Sequence, residues 1–356
     1  MKRPRGPGHD RPGVDRAGAG RPGVEGPSRD RPSPDRPGLD RRTALATLAA
    51  GGASIAAAGA ALVAAPGAAA ATAKPGKSMG AGCSTLLPGA GLRMGYADGP
   101  WGQIHFRAVT PAQRSARTPL VCLHASPLSG LVYDNWLREM GRDRLALAPD
   151  TPGYGGSATP PARPAIGDYA EAMLRFLDEL GLEQVDVMGY HTGSLTSVEL
   201  ARRHPKRVRH VVMISAPMFT AEELAKLRAS SGAPAPSFDV ALERTVTNWR
   251  REGRGMFRDA TDDRVIDMRL DSLRHFRTSN WGFLAAFDYD LAQALPQLAQ
   301  PVLVLNPEDD LWTMTPRAKP LLNARSRIHD LPGWTHGHLD AHTAEMATIV
   351  RGFLDA

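Results

Sequence analysis

A histidine in the middle of a glycine-bounded turn is the residue of this chain best placed to do chemistry. Residues 185–194 read Val-Asp-Val-Met-Gly-Tyr-His-Thr-Gly-Ser, with Gly189 and Gly193 on either side of His191. The pattern predicts a short apolar strand, a tight turn and then a helix, an arrangement that exposes the middle side chain at the carboxyl end of the strand. A neutral imidazole held there could attack a carbonyl, accept a proton or orient a water molecule.

Two carboxylates and a further histidine follow late in the sequence. Asp309 and Asp310 come shortly after the apolar run 301–305, and His336 lies in the predicted loop 331–338. A carboxylate beside an imidazole orients the ring and stabilises its charged form. These residues are therefore candidates for acid–base chemistry together with His191.

Two loops earlier in the chain have their own polar motifs. The apolar run 119–123 ends in His-Ala-Ser-Pro at 124–127, and the run 145–149 leads into Asp-Thr-Pro-Gly-Tyr-Gly-Gly-Ser at 150–157. Continuous apolar runs of this length are typical of parallel strands buried on both faces. Strands that alternate with predicted helices indicate a parallel, doubly wound sheet.

These four motifs stand in the order found in cap-bearing α/β-hydrolases: the loop at 124–127, the loop at 150–157, a nucleophile elbow around His191, and an acid loop paired with a late histidine. From about residue 92 to its end the chain resembles this superfamily, whose members include epoxide hydrolases, haloalkane dehalogenases, carbon–carbon bond hydrolases and proline iminopeptidases. The resemblance implies an α/β fold with a doubly wound, mostly parallel sheet and an inserted helical cap. The expected core spans residues 92–217 and 301–356, and the expected cap spans 218–300.

The resemblance also implies roles for individual residues. His336 matches the general base and Asp310 the acid that orients it, so we expect a hydrogen bond from His336 Nδ1 to Asp310, with Asp309 facing elsewhere. The backbone amides of Ser126 and Thr192 match the oxyanion hole. The chain departs from the family's pattern at His191, where a serine, cysteine or aspartate is the usual nucleophile.

Four interpretations of His191 remain open at this point. It could be a nucleophile that forms a labile acyl-imidazole, or it could orient a water that the His336–Asp310 dyad deprotonates. It could position a substrate from which the dyad abstracts a proton, as in a lyase or a cofactor-independent oxygenase, or it could mark a non-catalytic ligand-binding relative. We favour hydrolysis of a small ester-, amide- or epoxide-like substrate without a cofactor.

The pocket is expected to be apolar and closed by the cap. His124, Tyr190, Trp281 and Trp334 are its candidate lining residues, since caps of this kind cover a small substrate and exclude water. His124, His191 and His336 could approach one another, with His338 nearby. Because the sequence has no metal-ligand spacing motif, we predict no metal.

The first 73 residues differ in composition from the rest of the chain. Residues 1–42 are rich in Pro, Gly, Arg and Asp and are expected to be disordered, while 43–73 form an uncharged Ala/Gly-rich run after Arg41 and Arg42. Paired arginines before such a run resemble a twin-arginine export signal, and Ala71-Thr72-Ala73 fits a cleavage site followed by a linker, 74–91. The expected location is therefore extracytoplasmic, by way of the export machinery; the alternative is a retained membrane anchor at 43–73.

The charge of the chain is concentrated in this leader. The whole chain has a net charge of +6, from 43 Lys and Arg against 37 Asp and Glu, and residues 1–73 hold 11 of the former and 6 of the latter. The remaining chain is close to neutral, so its charge does not indicate a nucleic-acid partner. A small molecule is the expected partner.

Overall fold

A computed structural model describes residues 86–89, 91–231, 237–252 and 257–356, with the backbone alone at 231 and 248–252. The chain divides into two compact units, Met1–Thr72 and Ala73–Ala356. The predicted leader, signal segment and most of the predicted linker lie outside the described residues. Within the described ranges, no helix is both long and apolar enough to cross a membrane.

Eight strands in the described residues form one sheet with the order β1-β2-β4-β3-β5-β6-β7-β8. Strand β2 runs antiparallel to β1 and β4, and the strands from β4 to β8 are parallel, as the sequence predicts. The strands are β1 (Arg93–Gly99), β2 (Gly102–Val109), β3 (Leu120–Leu123), β4 (Ala146–Pro149), β5 (Val185–Tyr190), β6 (Val208–Ile214), β7 (Val302–Pro307) and β8 (Arg327–Leu331).

Helices pack on both faces of this sheet and fill the interval between β6 and β7. They are α1 (Asp134–Met140), α2 (Ile166–Glu179), α3 (Thr192–Arg203), α4 (Ala221–Ser231), α5 (Phe238–Glu252), α6 (Asp262–Arg274), α7 (Trp281–Phe287), α8 (Leu291–Ala294), α9 (His338–Ala341) and α10 (Thr343–Leu354). Short 3₁₀ turns occur at Gly130–Tyr133, Leu295–Gln297 and Thr315–Leu321.

The apolar pattern of the sequence explains why the sheet is sandwiched. Every residue of β3, β5 and β7 is buried, as expected for central parallel strands. Helix α2 is amphipathic and buries Tyr169, Met173, Phe176 and Leu177 on the face predicted from their spacing. One apolar cluster joins α2 and α3 to the sheet, and a second joins α1 and α10 to its other face.

The helices between β6 and β7 are anchored to both apolar clusters. Phe257, Val265 and Met268 pack in the cluster on the α1 side. Leu291 and Leu295 pack in the cluster on the α3 side, so the last part of the predicted cap belongs to the packed core of the structure. The helical segment therefore spans the carboxyl edge of the sheet, where the polar loops of β3, β5 and β7 end.

Candidate active site

The turn at His191 has the geometry of a nucleophile elbow. His191 lies between β5 and α3 with φ 48° and ψ −107°, a conformation that non-glycine residues rarely adopt. A Cβ on Gly189 would overlap the backbone of Gly193, and a Cβ on Gly193 would overlap the carbonyl oxygen of Leu123. Both glycines are therefore required by the close approach of α3 to β5 and β3, which excludes an ordinary loose connection.

Asp309 holds the imidazole of His191. His191 Nε2 lies 2.8 Å from Asp309 Oδ2, at the carboxyl end of β7. The same carboxylate accepts hydrogen bonds from Ser215 Oγ at 2.6 Å and from the backbone N–H of Leu311 at 2.8 Å. Ser215 follows β6 and has a positive φ of 61°, so a second strained residue at this edge supports the pair.

His336 pairs with the neighbouring carboxylate through its other ring edge. Its Nε2 lies 3.0 Å from Asp310 Oδ1, while Nδ1 contacts the hydroxyl of Tyr190. The predicted partner, Asp310, is therefore present, but the prediction of Nδ1 as the bonded atom is wrong because the Tyr190 hydroxyl occupies that position. Asp309 faces away from this pair, as expected, and its carboxylate binds His191, a contact that was not predicted.

The two imidazole–carboxylate pairs lie side by side. The ring centroids of His191 and His336 are 5.4 Å apart, and Asp310 Oδ1 lies 3.9 Å from His191 Nε2. The Tyr190 ring packs edge-on against His191, with centroids 4.6 Å apart. The site thus contains two basic rings and two acids within one contact shell.

Opposite charges shift the pKa values in this cluster. Burial alone would lower the pKa of His191, but the charge and hydrogen bond of Asp309 raise it above its ordinary value. Burial would raise the pKa of Asp309, yet His191 and the Ser215 hydroxyl hold it well below its usual range. Burial and the nearby carboxylates raise the pKa of Tyr190 well above 10, so its hydroxyl stays protonated.

Four side chains of the site have the donor atoms of a metal centre. One ligand atom from each of His191, Asp309, Asp310 and His336 lies within 4.8 Å of the other three. From the sequence, only histidines were candidate metal ligands, and the carboxylates were predicted only as partners of an imidazole. The sequence does not show that the adjacent side chains of Asp309 and Asp310 both reach the site.

Two cavities meet at His191. The larger has a volume of about 490 Å³ and an apolar wall formed by residues such as Phe219, Phe283 and Met314. The smaller, about 260 Å³, includes Tyr190, His336 and Ser126 in its wall. A substrate bound across the site could therefore place one end in each cavity.

The structure brings some of the predicted site residues to these cavities. Ser126 lines the smaller cavity, Thr192 the larger, and Tyr190 the smaller. His191 and Asp310 line both. The oxyanion-hole role of the Ser126 and Thr192 backbone amides stays a prediction. Both residues lie in the walls of the cavities at the site.

The other predicted pocket residues lie elsewhere. His124 is buried, with Nδ1 bonded to the carbonyl of Ala125 at 3.0 Å and Nε2 accepting the N–H of Thr151 at 2.8 Å, so it supports two loops. Neither Trp281 nor Trp334 lines the two cavities at His191, and the Trp334 ring stacks on His342 with centroids 4.2 Å apart. For these two cavities, the prediction of His124, Trp281 and Trp334 as lining residues is wrong.

Two further polar side chains near the turn are engaged in structural contacts. Ser194 Oγ donates to the carbonyls of Gly189 at 2.9 Å and Ile214 at 3.1 Å, so it joins β5 to β6 and does not cap α3 or replace the missing nucleophile. His338 is fully buried; Nδ1 bonds the Thr335 carbonyl at 2.6 Å, and burial lowers its pKa to about 4.

Several residues that contact the site or line its cavities were not predicted from the sequence. Ser215 could have been found, because it directly follows a parallel strand next to β5 and so must reach the same edge. Phe257, Met268 and Phe283 line the cavities from the helical segment. Their helices carry many apolar and aromatic residues, and spacing alone does not tell which of them face the site.

Comparisons with known proteins bear on the fold. Residues 118–263 match the model of the family described as alpha/beta hydrolase fold. The chain is 29% identical over 176 residues to 2-hydroxy-6-oxo-2,4-heptadienoate hydrolase of Pseudomonas putida, covering 48% of this chain and 59% of the relative. It is 34% identical over 104 residues to 2-hydroxymuconate semialdehyde hydrolase of a Pseudomonas species, covering 27% of this chain and 35% of that relative. The match thus spans less than two thirds of either relative.

A solved structure supports the fold over a longer stretch. The enol-lactonase from Burkholderia xenovorans superposes with a TM-score of 0.58 and 19% identity, covering 74% of this chain and 100% of that one. At this identity the likeness concerns the fold alone. The sheet order, the strained turn at His191, the late acid and histidine loops and the matched family model all agree. The chain therefore has the α/β-hydrolase fold.

Proposed function

We propose that this chain is a hydrolase of small ester-, amide- or epoxide-like substrates, in which the His336–Asp310 pair activates a water that His191 orients. The observation that carries the proposal is the position of two separate imidazole–carboxylate pairs, with rings 5.4 Å apart, where two cavities meet. Such an arrangement supplies a base and a positioning group beside one reacting centre.

The hydrogen bonds assign a role to each nitrogen. When His336 donates its Nε2–H to Asp310, its basic nitrogen is Nδ1, which the Tyr190 hydroxyl contacts. The proton of an attacking water would reach His336 Nδ1 through the Tyr190 hydroxyl, or directly if the water takes the position of that hydroxyl. Asp310 would stabilise the imidazolium that forms.

The same reasoning favours water activation over a histidine nucleophile. His191 Nε2 is occupied by Asp309, so Nδ1 is the ring nitrogen that remains for a water or a substrate oxygen. An acyl-imidazole would have to form at the more crowded Nδ1, next to the backbone. The amides of Ser126 and Thr192 would bind the oxyanion that develops when water attacks.

The named relatives are consistent with this chemistry. Their names describe hydrolysis of small oxo acids and semialdehydes, and the structural neighbour is an enol-lactonase. The larger cavity, with its apolar wall, fits the apolar portion of a small substrate. These likenesses support a hydrolase of small substrates and do not name this one.

A substrate panel tests the proposal. We expect wild type to turn over at least one class among small esters, lactones, epoxides and activated amides, and His336→Ala to lower kcat by about 100-fold or more, the range expected for a general base. His191→Ala should also reduce kcat strongly. Wild type should form no trappable acyl-enzyme. His342→Gln, which alters a ring stacked on Trp334, is the matched control and should retain activity.

Two outcomes would refute this mechanism. Trapping of an acyl group on His191 would establish the nucleophile interpretation. Absence of turnover in wild type across the panel, with activity gained only by His191→Ser, would reject native hydrolysis and leave proton-abstraction chemistry or ligand binding in its place.

We also propose that the protein is exported by the twin-arginine pathway, with the export machinery as its partner through the leader. The support is Arg41-Arg42, the uncharged run that follows, and Ala71-Thr72-Ala73.

A further inference from the structure

We propose that His191, Asp309, Asp310 and His336 together bind one divalent first-row transition metal ion, for which Zn²⁺ is the best probe. Two imidazole nitrogens and two carboxylate oxygens are ligands that Zn²⁺ accepts in protein sites. The four residues come from two loops and the elbow, and their donor atoms converge at one point beside both cavities.

The distances between donor atoms are those that one ion can bridge. His191 Nε2 lies 2.8 Å from Asp309 Oδ2 and 3.9 Å from Asp310 Oδ1, and His336 Nε2 lies 3.0 Å from Asp310 Oδ1. Tetrahedral ligands at about 2.0–2.1 Å from Zn²⁺ are roughly 3.3 Å from one another. The observed separations lie on both sides of this value, so small side-chain rotations would complete the shell.

Hydrogen bonds outside the cluster orient the donors inward. Ser215 Oγ and the N–H of Leu311 fix the Asp309 carboxylate, and the Tyr190 hydroxyl contacts His336 at Nδ1. Both Nε2 atoms therefore face the centre of the cluster. Metal-binding histidines and carboxylates usually have such outer partners, which set the tautomer and the ring orientation.

The charge of the cluster also suits a divalent cation. As metal ligands, two ionised carboxylates and two neutral imidazoles would carry a charge of about −2, which one M²⁺ ion neutralises. A second His–Asp contact has other positive partners for its carboxylate. Asp150 lies 2.7 Å from His105 Nδ1 and 3.9 Å from Arg107, and it accepts the backbone N–H groups of Gly130 and Gly156. In that contact a guanidinium and backbone amides already satisfy the carboxylate.

Metal binding at this place can be tested apart from the proposed hydrolysis, because in the metal-bound form His336 Nε2 would be a ligand and would no longer donate a proton to Asp310. A bound Zn²⁺ would polarise a substrate oxygen or activate a water at the position where the family has its nucleophile. This would give His191 a reason to replace serine, since imidazole is a ligand and a neutral hydroxyl is a poor one. The binding itself can be measured on a protein that is inert toward every substrate tested.

The test is calorimetric titration of the full-length, chelator-treated protein with Zn²⁺, and with Co²⁺ as a spectroscopic probe. We expect one ion per chain and a visible Co²⁺ absorption typical of four-coordinate N/O ligation. His191→Gln and His336→Gln should each weaken binding by about 100-fold or more, and Ser215→Ala by about 10-fold, as outer-partner substitutions do. His342→Gln should bind like wild type.

Thermal unfolding with and without Zn²⁺ provides a second readout. The ion should raise the Tm of wild type and of His342→Gln, but not that of His191→Gln. Circular dichroism of the chelated variants checks that each is folded before titration. Failure of folded wild type to bind Zn²⁺ or Co²⁺, or equal binding by wild type and both ligand variants, would overturn the proposal, whether or not the chain is a hydrolase.

Discussion

His191 combines a strained backbone with an imidazole held at Nε2 by Asp309. Its φ of 48° costs free energy that the packing of α3 against β5 must offset, and such residues tend to occur where a side chain has to be presented at a fixed point. Its partner Asp309 is itself fixed by Ser215, a second residue with positive φ. Two strained residues that meet at one carboxylate indicate a site built for position and not for stability.

His124 leads to a prediction about pH. Burial lowers its pKa below the ordinary 6.5, and both ring nitrogens are bonded as in a neutral imidazole. The unfolded chain therefore takes up a proton before the folded one does, so this residue's contribution to the free energy of unfolding is full above pH 6.5 and is lost as pH falls toward the folded pKa. A single group contributes at most about 1.4 kcal/mol per pH unit.

The measurement is urea unfolding of wild type and His124→Asn from about pH 7.5 to about pH 5, a window that begins above the ordinary histidine pKa. Other buried histidines titrate in both proteins, so only the difference between the two is informative. We expect wild type to lose its advantage over the variant as pH falls. A difference that stays constant or grows toward low pH would show that His124 is not neutral in the folded protein.

At the level of elements, the sequence predicts most of the architecture because its signals are local. The buried strands appear as continuous apolar runs, α2 appears as a 3.6-residue pattern, and the two glycines around His191 predict the close passage of α3 over β5. Parallel order then follows from alternating strands and helices. The boundaries of the helices between β6 and β7 are less predictable, because their apolar residues have several partners.

The choice of partners within the site lies beyond such local signals. Asp309 and Asp310 are adjacent, so both are carried to the same edge by β7, and only their rotamers decide which imidazole each one binds. The Tyr190 hydroxyl then occupies the ring nitrogen expected to face an acid. Aromatic residues show the same limit: Trp281 and Trp334 have the right type and region, but neither lines the two cavities at His191, and Trp334 stacks on His342.

The contact between α3 and the sheet can be tested with two glycines. Gly193→Ala should destabilise the fold by about 2 kcal/mol or more, because its Cβ would overlap the Leu123 carbonyl, and backbone atoms cannot move aside cheaply. Gly352, in α10, has open space around the position of a Cβ. Gly352→Ala should therefore be neutral or stabilising by up to about 1 kcal/mol, because alanine is the better helix former.

Denaturant midpoints of the two variants provide the comparison. Equal midpoints for Gly193→Ala and wild type would mean that the turn can widen without cost, and the elbow would then not be tightly packed. A loss in Gly352→Ala of the same size as in Gly193→Ala would show a general intolerance of added methyl groups and remove the argument from close approach.

For the whole molecule, the separation of the leader from the folded unit is the main organising fact. Residues 1–73 carry most of the excess positive charge, and the compact unit Ala73–Ala356 begins where the predicted cleavage site ends. The two apolar clusters of the described residues both lie within the unit Ala73–Ala356. Removal of the leader is therefore expected to leave the hydrolase fold intact.

Export can be tested at the arginine pair. Changing Arg41 and Arg42 to lysine should leave folded protein in the cytoplasm, because the twin-arginine signal is read as a specific pair of side chains and not as positive charge alone. Lysine substitution of Arg3 and Arg5, which keeps the pair, is the matched control and should leave export unchanged. The measurement is the distribution of the protein between cytoplasmic and extracytoplasmic fractions. Equal export of the Arg41/Arg42 variant and the Arg3/Arg5 control would reject the signal. The N-terminal sequence of exported wild type should begin at Lys74. An intact segment 43–73 in a membrane fraction would establish the anchor instead.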